Sequence, residues 1–257
     1  MSTNKPSIVI GNWKMNPSSL AEAKKLLVGL RSKVASFQTT TIVLAPPAVF
    51  LTDLVRLSPS GRIGFAAQSI HSDISGAHTG AISAPMVQSC GAGYVIIGHS
   101  ERREEGVTDT QIAARFHIAI KHRLVPVVCI GERVRDKSGN FYTVIEQQIA
   151  CAFAGAKKAE MKRAIIAYEP VWAIGSGQTP SVEDVQEMRL FINKCLTKMF
   201  DRATARATKV LYGGSVNPDN VEELCAGGGV DGFLVGGASL QAKSFLCIIK
   251  AVEETNL

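Results

Sequence analysis

A (β/α)8 barrel in a single domain is the architecture this sequence predicts, and three observations carry the prediction. Eight short β-rich runs recur along the 257 residues, helical apolar patterns lie between them, and no proline- or serine-rich linker divides the chain. One domain over residues 1–257 is therefore expected. Near-continuous apolar strands, each followed by an amphipathic helix, imply a parallel sheet covered by helices. An open doubly wound sheet would want a glycine-rich first turn with an acidic residue about 20 positions later. The first run here ends in "GNWKMN" instead.

In chain order the strand candidates are "SIVIGNWK", "TTIVLAPP", "RIGFAAQ", "YVIIGHS", "VPVVCIGE", "AIIAYEP", "TKVLYGG" and "DGFLVGG". After the first, Leu20, Ala23, Leu27, Leu30 and Val34 step by three and four, which puts one apolar stripe on a helix. Val185, Met188, Ile192, Cys195 and Met199 repeat the spacing between the sixth and seventh runs.

Composition bounds what such a protein does. With 46% hydrophobic and 19% charged residues the chain has a globular profile and lies far from the signature of disorder. Runs such as "LVPVVCIG" fall well short of the roughly 20 apolar residues of a membrane-spanning helix. "MSTNKPSIVIGNW" lacks the apolar region and cleavage site of a secretory signal and "VEETNL" is no retention signal, so a cytoplasmic location is expected. Cys90, Cys129, Cys151, Cys195, Cys225 and Cys247 stand singly, which points to buried free thiols and away from structural zinc. The net charge of +6 is spread among acids without a basic run interleaved with aromatics, which argues against nucleic acid as a partner. It favours the approach of a small anion.

Active sites of these barrels lie at the carboxyl ends of the strands. Those ends carry Asn12 and Lys14, His99, Glu169, Gly213-Gly214-Ser215 and Gly236-Gly237. Asn12 and Lys14, two apart in an extended strand, would share one face, with Trp13 on the other. The apolar run before Glu169 would place its carboxylate where desolvation favours a base competent near neutral pH. The glycine pairs of "YGGSV" and "LVGGASL" would let backbone N–H groups approach a phosphate after the seventh and eighth strands. "PVWAIGSGQTP", with prolines at both ends and a Gly-Ser-Gly tip, would close over a ligand as a lid. A solvated lysine, a structural histidine and ordinary glycine turns remain the alternatives for each feature taken alone.

Taken together, "GNWKMN", "GHSERR", "CIGE", "AYEPVWAIGSG", "YGGSV" and "LVGGASL" resemble the motifs of the triosephosphate isomerase family, in order and over essentially the whole chain. The resemblance implies Glu169 as catalytic base, His99 as electrophile, Lys14 as electrostatic stabiliser, Asn12 as its polar partner and Glu101 as the carboxylate supporting the lysine. It implies phosphate binding by Gly175, Ser215, Gly236 and Gly237, and a lid of Pro170, Val171, Trp172, Ala173, Ile174, Gly175, Ser176 and Gly177. It further implies no metal or organic cofactor, no membrane, and a homodimer that brings Thr79 near the neighbouring active site. The chain departs from the family's pattern at Ala81 and Val107, where glutamate is common, and at Ser176 and Gln178 in the lid. Rival readings are an aldolase with Lys14 as a Schiff-base amine, and a phosphate-binding barrel without catalysis.

Overall fold

Parity along the strands builds the barrel. The computed structural model describes residues 7–173 and 179–255. Its strands are β1 (Ile8–Asn12), β2 (Thr41–Ala45), β3 (Ile63–Ala67), β4 (Tyr94–Ile97), β5 (Val125–Ile130), β6 (Ile165–Tyr168), β7 (Lys209–Tyr212) and β8 (Gly232–Val235). They pair in parallel and in sequence order, and β8 returns to β1 with Ile8 opposite Gly232, so the sheet closes. Each strand falls within one of the eight sequence runs.

Alternate residues face opposite sides of a strand. Ile8 and Ile10, Val127 and Cys129, Ile165 and Ala167, and Leu211 pack in one apolar cluster, inside the ring of strands. Val9, Ile42, Leu44, Val128, Ile166 and Val210 belong to the larger cluster between strands and helices. Extending the inward parity by one step from Ile10, Ala167 and Leu211 reaches Asn12, Glu169 and Gly213. The same alternation that fills the core therefore aims these residues at the mouth.

The helices match their periodic stripes. Leu20–Val34 buries Ala23, Leu27, Leu30 and Val34, and Val182–Met199 buries Val185, Met188, Ile192 and Cys195. Met199, the last residue of that helix, remains 37% exposed. Ser181 caps the second helix, accepting from the N–H of Asp184 while the Asp184 carboxylate accepts from the N–H of Ser181. Such a reciprocal cap is worth about 1 kcal/mol and fixes the start of this helix.

Among the described residues no helix is long and apolar enough to cross a membrane. All six cysteines are free, but burial is less uniform than their spacing suggested. Cys129 and Cys195 are buried, Cys90, Cys151 and Cys225 are half-buried, and Cys247 is exposed on the outer helix Ala242–Thr255.

Candidate active site

Asn12 ends β1 and is 6% exposed. The strand stops there: Lys14 has φ 52°, so it does not share a face with Asn12 by strand alternation, as an extended reading of "NWK" requires. The Asn12 Oδ1 accepts from the Lys14 N–H at 3.1 Å, closing a tight turn that returns the lysine to the same rim. Trp13 between them is fully buried on the outer side. The Gln68 side-chain amide donates to the carbonyls of Lys14 and Ala45, both at 2.8 Å, and holds this turn from behind.

The Lys14 ammonium donates to Glu101 Oε1 at 2.7 Å. Burial alone would raise the Glu101 pKa, but the hydrogen bond and charge of Lys14, with His99 beside it, bring it below its ordinary value.

His99 follows β4 and caps the short helix Ser100–Glu104. Its Nδ1 accepts from the Glu101 N–H at 3.3 Å. An accepting Nδ1 carries no proton, so in the neutral ring the proton sits on Nε2. Glu169 Oε1 lies 3.5 Å from that Nε2.

Glu169 is 1% exposed. Its N–H continues the ladder to Ile130 O at 2.8 Å, and its Oε2 accepts from the Ser100 N–H at 2.8 Å. Its Oε1 has no hydrogen-bond partner among the described residues. The Cys129 thiol lies against the carboxylate; burial first, then the Glu169 charge, push the thiol pKa well up. Two glycines make room for this residue. A Cβ on Gly131 would stand 1.8 Å from the Glu169 carbonyl oxygen, and one on Gly213 would stand 3.0 Å from its Cγ.

Asn12, Lys14 and His99 line a cleft of 490 Å³ whose opposite wall is Gly213–Asn217 and Gly236–Ala238. Ser215, Gly236 and Gly237 thus come together across the ends of β7 and β8, as the glycine pairs suggested. The chain after β8 turns as a 3₁₀ helix, Gly237–Leu240, pinned by the Ser239 hydroxyl donating to Gly236 O at 2.6 Å. Glu169 itself is not on the cleft wall; its carboxylate lies between the Ser100 N–H and His99 Nε2. Gly175, and with it Ile174, Ser176 and Gly177 of the lid, lies outside the described residues.

The start of the lid reveals a group to which the sequence reading gave no role. Val171–Ala173 forms a 3₁₀ turn after Pro170. The Trp172 indole N–H donates to Glu132 Oε1 at 2.9 Å, and the Tyr168 hydroxyl donates to the same oxygen at 2.8 Å. Glu132 is 1% exposed, and burial raises its pKa against the opposing effect of those bonds and of Arg135. It is the last residue of "CIGE", and its position just beyond a strand end was the available signal. Trp172, otherwise a large apolar side chain in a connection, is the contact that ties the lid's first turn to β5 and β6.

Several ligand-capable groups lie elsewhere. The ligand atoms of His71, Asp73 and His78 lie within 4.8 Å of one another on an exposed loop, a grouping that a search for cysteine spacing misses.

A closed (β/α)8 barrel that gathers a buried carboxylate, a histidine and a lysine beside a glycine-walled cleft is a barrel enzyme equipped for proton transfer on a small anion. The family model for triosephosphate isomerase matches residues 7–252. The triosephosphate isomerase of Flavobacterium johnsoniae is 40% identical over 248 residues, covering 96% of this chain and 99% of that protein. Those of Rhodopirellula baltica and Herpetosiphon aurantiacus are each 39% identical, over 95% of this chain and 96% and 98% of theirs. The chain belongs to the triosephosphate isomerase family.

Proposed function

We propose that this protein interconverts dihydroxyacetone phosphate and D-glyceraldehyde 3-phosphate through an enediol(ate), in glycolysis and gluconeogenesis, with no metal or organic cofactor. The observation that carries this reading is the buried Glu169 carboxylate, with an unpaired oxygen 3.5 Å from His99 Nε2, behind a cleft walled by Lys14 and paired glycines.

Glu169 takes the proton from the carbon beside the substrate carbonyl. The C–H electron pair moves into the carbon–carbon bond and the carbonyl oxygen becomes an oxyanion. The His99 Nε2–H and the Lys14 ammonium, oriented by Asn12 and Glu101, stabilise that charge, which is largest in the transition state. The His99 Nε2–H gives its proton to that oxyanion and takes the proton of the neighbouring hydroxyl; Glu169 then returns its proton to the former carbonyl carbon as the other oxygen becomes the new carbonyl. To reach substrate its carboxylate turns away from the Ser100 N–H. Closure of the lid over a phosphate held at Ser215, Gly236 and Gly237, with Gly175, supplies the binding energy for that turn and excludes water.

The 2.7 Å contact of Lys14 with Glu101 suits an electrostatic role and disfavours the Schiff-base alternative. The whole chain acts as one barrel domain in the cytoplasm, the six free thiols suiting a reducing compartment. It works as a homodimer in which Thr79, on an exposed loop, approaches the neighbouring site.

A coupled assay with glyceraldehyde 3-phosphate, run beside Glu169→Gln, tests the reading. Isomerisation lost in the variant is expected; an inactive wild-type protein that still binds substrate would overturn it.

A further inference from the structure

Arg135, in the connection after β5, takes no part in the steps above and lines no wall of the cleft. Its side chain is nevertheless only 14% exposed, because two groups of partners hold it. In the first, its Nη1 lies 3.5 Å from Glu132 Oε1, the oxygen that accepts from Tyr168 and Trp172, and its guanidinium carbon lies 5.9 Å from the centre of the Trp172 ring. In the second, its Nη2 lies 3.1 Å from Asp184 Oδ1 and pairs with Glu187, both on the helix Val182–Met199. The Phe141 ring faces the guanidinium at 4.7 Å, and the Tyr142 hydroxyl donates to Glu187. Among the described residues Arg135 is the one cation paired with Glu132.

The two groups flank the segment 174–178 in the chain. Trp172 immediately precedes Ala173, while Asp184 forms the reciprocal cap with Ser181, just beyond Thr179. Ala173 and Thr179 both line the catalytic cleft. One guanidinium therefore bridges the two stretches of chain that carry these wall residues. The planar fork of an arginine bonds acceptors through both terminal nitrogens at once, which a lysine ammonium, a single point charge, does not reproduce. Exposed ion pairs contribute little, but Glu132 is 1% exposed and most of the arginine side chain is shielded from water, where such contacts are stronger. Every partner comes from this chain, from the connections that follow β5 and β6, whereas the Thr79 loop follows β3.

We propose that Arg135 is a positioning residue for the grip on the substrate phosphate: bonded to Glu132 on one hand and to Asp184 and Glu187 on the other, it fixes the separation of the cleft walls at Ala173 and Thr179 before substrate arrives. This role rests on the isomerase reading and deepens it. Walls that are already in place need no ordering when the phosphate binds, so more of its binding energy remains for the reacting carbons. A substrate without phosphate draws on none of that energy.

The test compares wild type, Arg135→Met and Arg135→Lys in isomerising glyceraldehyde 3-phosphate and unphosphorylated glyceraldehyde, beside calorimetry with sn-glycerol 3-phosphate. In both variants kcat/KM for the phosphorylated substrate should fall by about tenfold, mainly through KM, and glycerol phosphate should bind more weakly by a like factor. Turnover of glyceraldehyde should hold. Lysine keeps a charge beside Glu132 but reaches one group of partners only, so it should restore stability without restoring the phosphate-dependent part; should Arg135→Met fail to fold, Arg135→Lys carries the comparison. Equal losses on the two substrates would mark a merely structural role and overturn the proposal, as would glycerol phosphate binding that is the same in all three proteins. A wild type that binds glycerol phosphate but isomerises neither substrate would sink the isomerase reading alone, and the calorimetry would still decide the role of Arg135.

Discussion

Two buried glutamates at opposite ends of the barrel do opposite things. Glu253, on the closing helix Ala242–Thr255, is 8% exposed and accepts from the backbone N–H groups of Gln38, Thr39 and Thr40, just ahead of β2 at the amino-terminal end. Its bonds with those residues outweigh the effect of burial and bring its pKa to about 2. Glu169, at the carboxyl-terminal end, is buried more deeply yet accepts one backbone N–H and leaves Oε1 unpaired. A carboxylate with both oxygens engaged holds structure together, whereas a buried one with a free oxygen is left able to bond a group that the protein does not supply. The amino-terminal end is a clamp and the carboxyl-terminal end a reaction vessel.

The sharpest way to break this contrast is to neutralise each glutamate in turn. Glu169→Gln should lower kcat by about a thousandfold or more, the upper range for a positioned base, while its urea midpoint holds or rises. Steady-state kinetics beside equilibrium unfolding checks both halves, and a variant that loses stability but keeps turnover would reverse the assignment.

Glu253→Gln should do the reverse, losing up to about 3 kcal/mol of stability with turnover per folded molecule unchanged. The sign of its pH dependence follows from a folded pKa depressed from 4.5 to about 2. The stabilisation is fully present above pH 4.5 and disappears as pH falls through 2, so the gap between wild type and variant in urea should narrow from pH 7 to pH 3.

Glu132→Gln probes the hinge side of the vessel. Loosening the Trp172 and Tyr168 contacts should lower kcat by about tenfold or less, roughly 1.4 kcal/mol of barrier. Of the two tryptophans Trp13 is fully buried outside the strands, so a change in emission would report Trp172. The smallest effect is expected for Ser181→Ala, which removes the cap beyond the lid and should reduce stability by about 1 kcal/mol, read from the thermal midpoint.

Much of the site was legible because strand ends are legible. His99, Glu169, Ser215 and Gly236 each follow a short apolar run, and the (β/α)8 architecture brings such positions to one rim. Lys14 was placed on the right rim for the wrong reason, since its backbone leaves the extended region and a side-chain-to-backbone bond from Asn12 steers it back. For Glu132 the position just beyond a strand end was the one local signal; what makes it unusual is the Tyr168 and Trp172 donors that surround it.

By itself the sequence determined the barrel, the order of its strands and the set of residues at its mouth, because apolar periodicity and chain direction are local properties that closure then repeats eight times. Only the tertiary structure decided which carboxylate is satisfied and which is left with a free oxygen. It alone brought the Tyr168 hydroxyl and the Trp172 indole to one oxygen of Glu132. Hydrogen-bond satisfaction and desolvation depend on atoms brought together from distant parts of the chain, and no spacing along the chain encodes them.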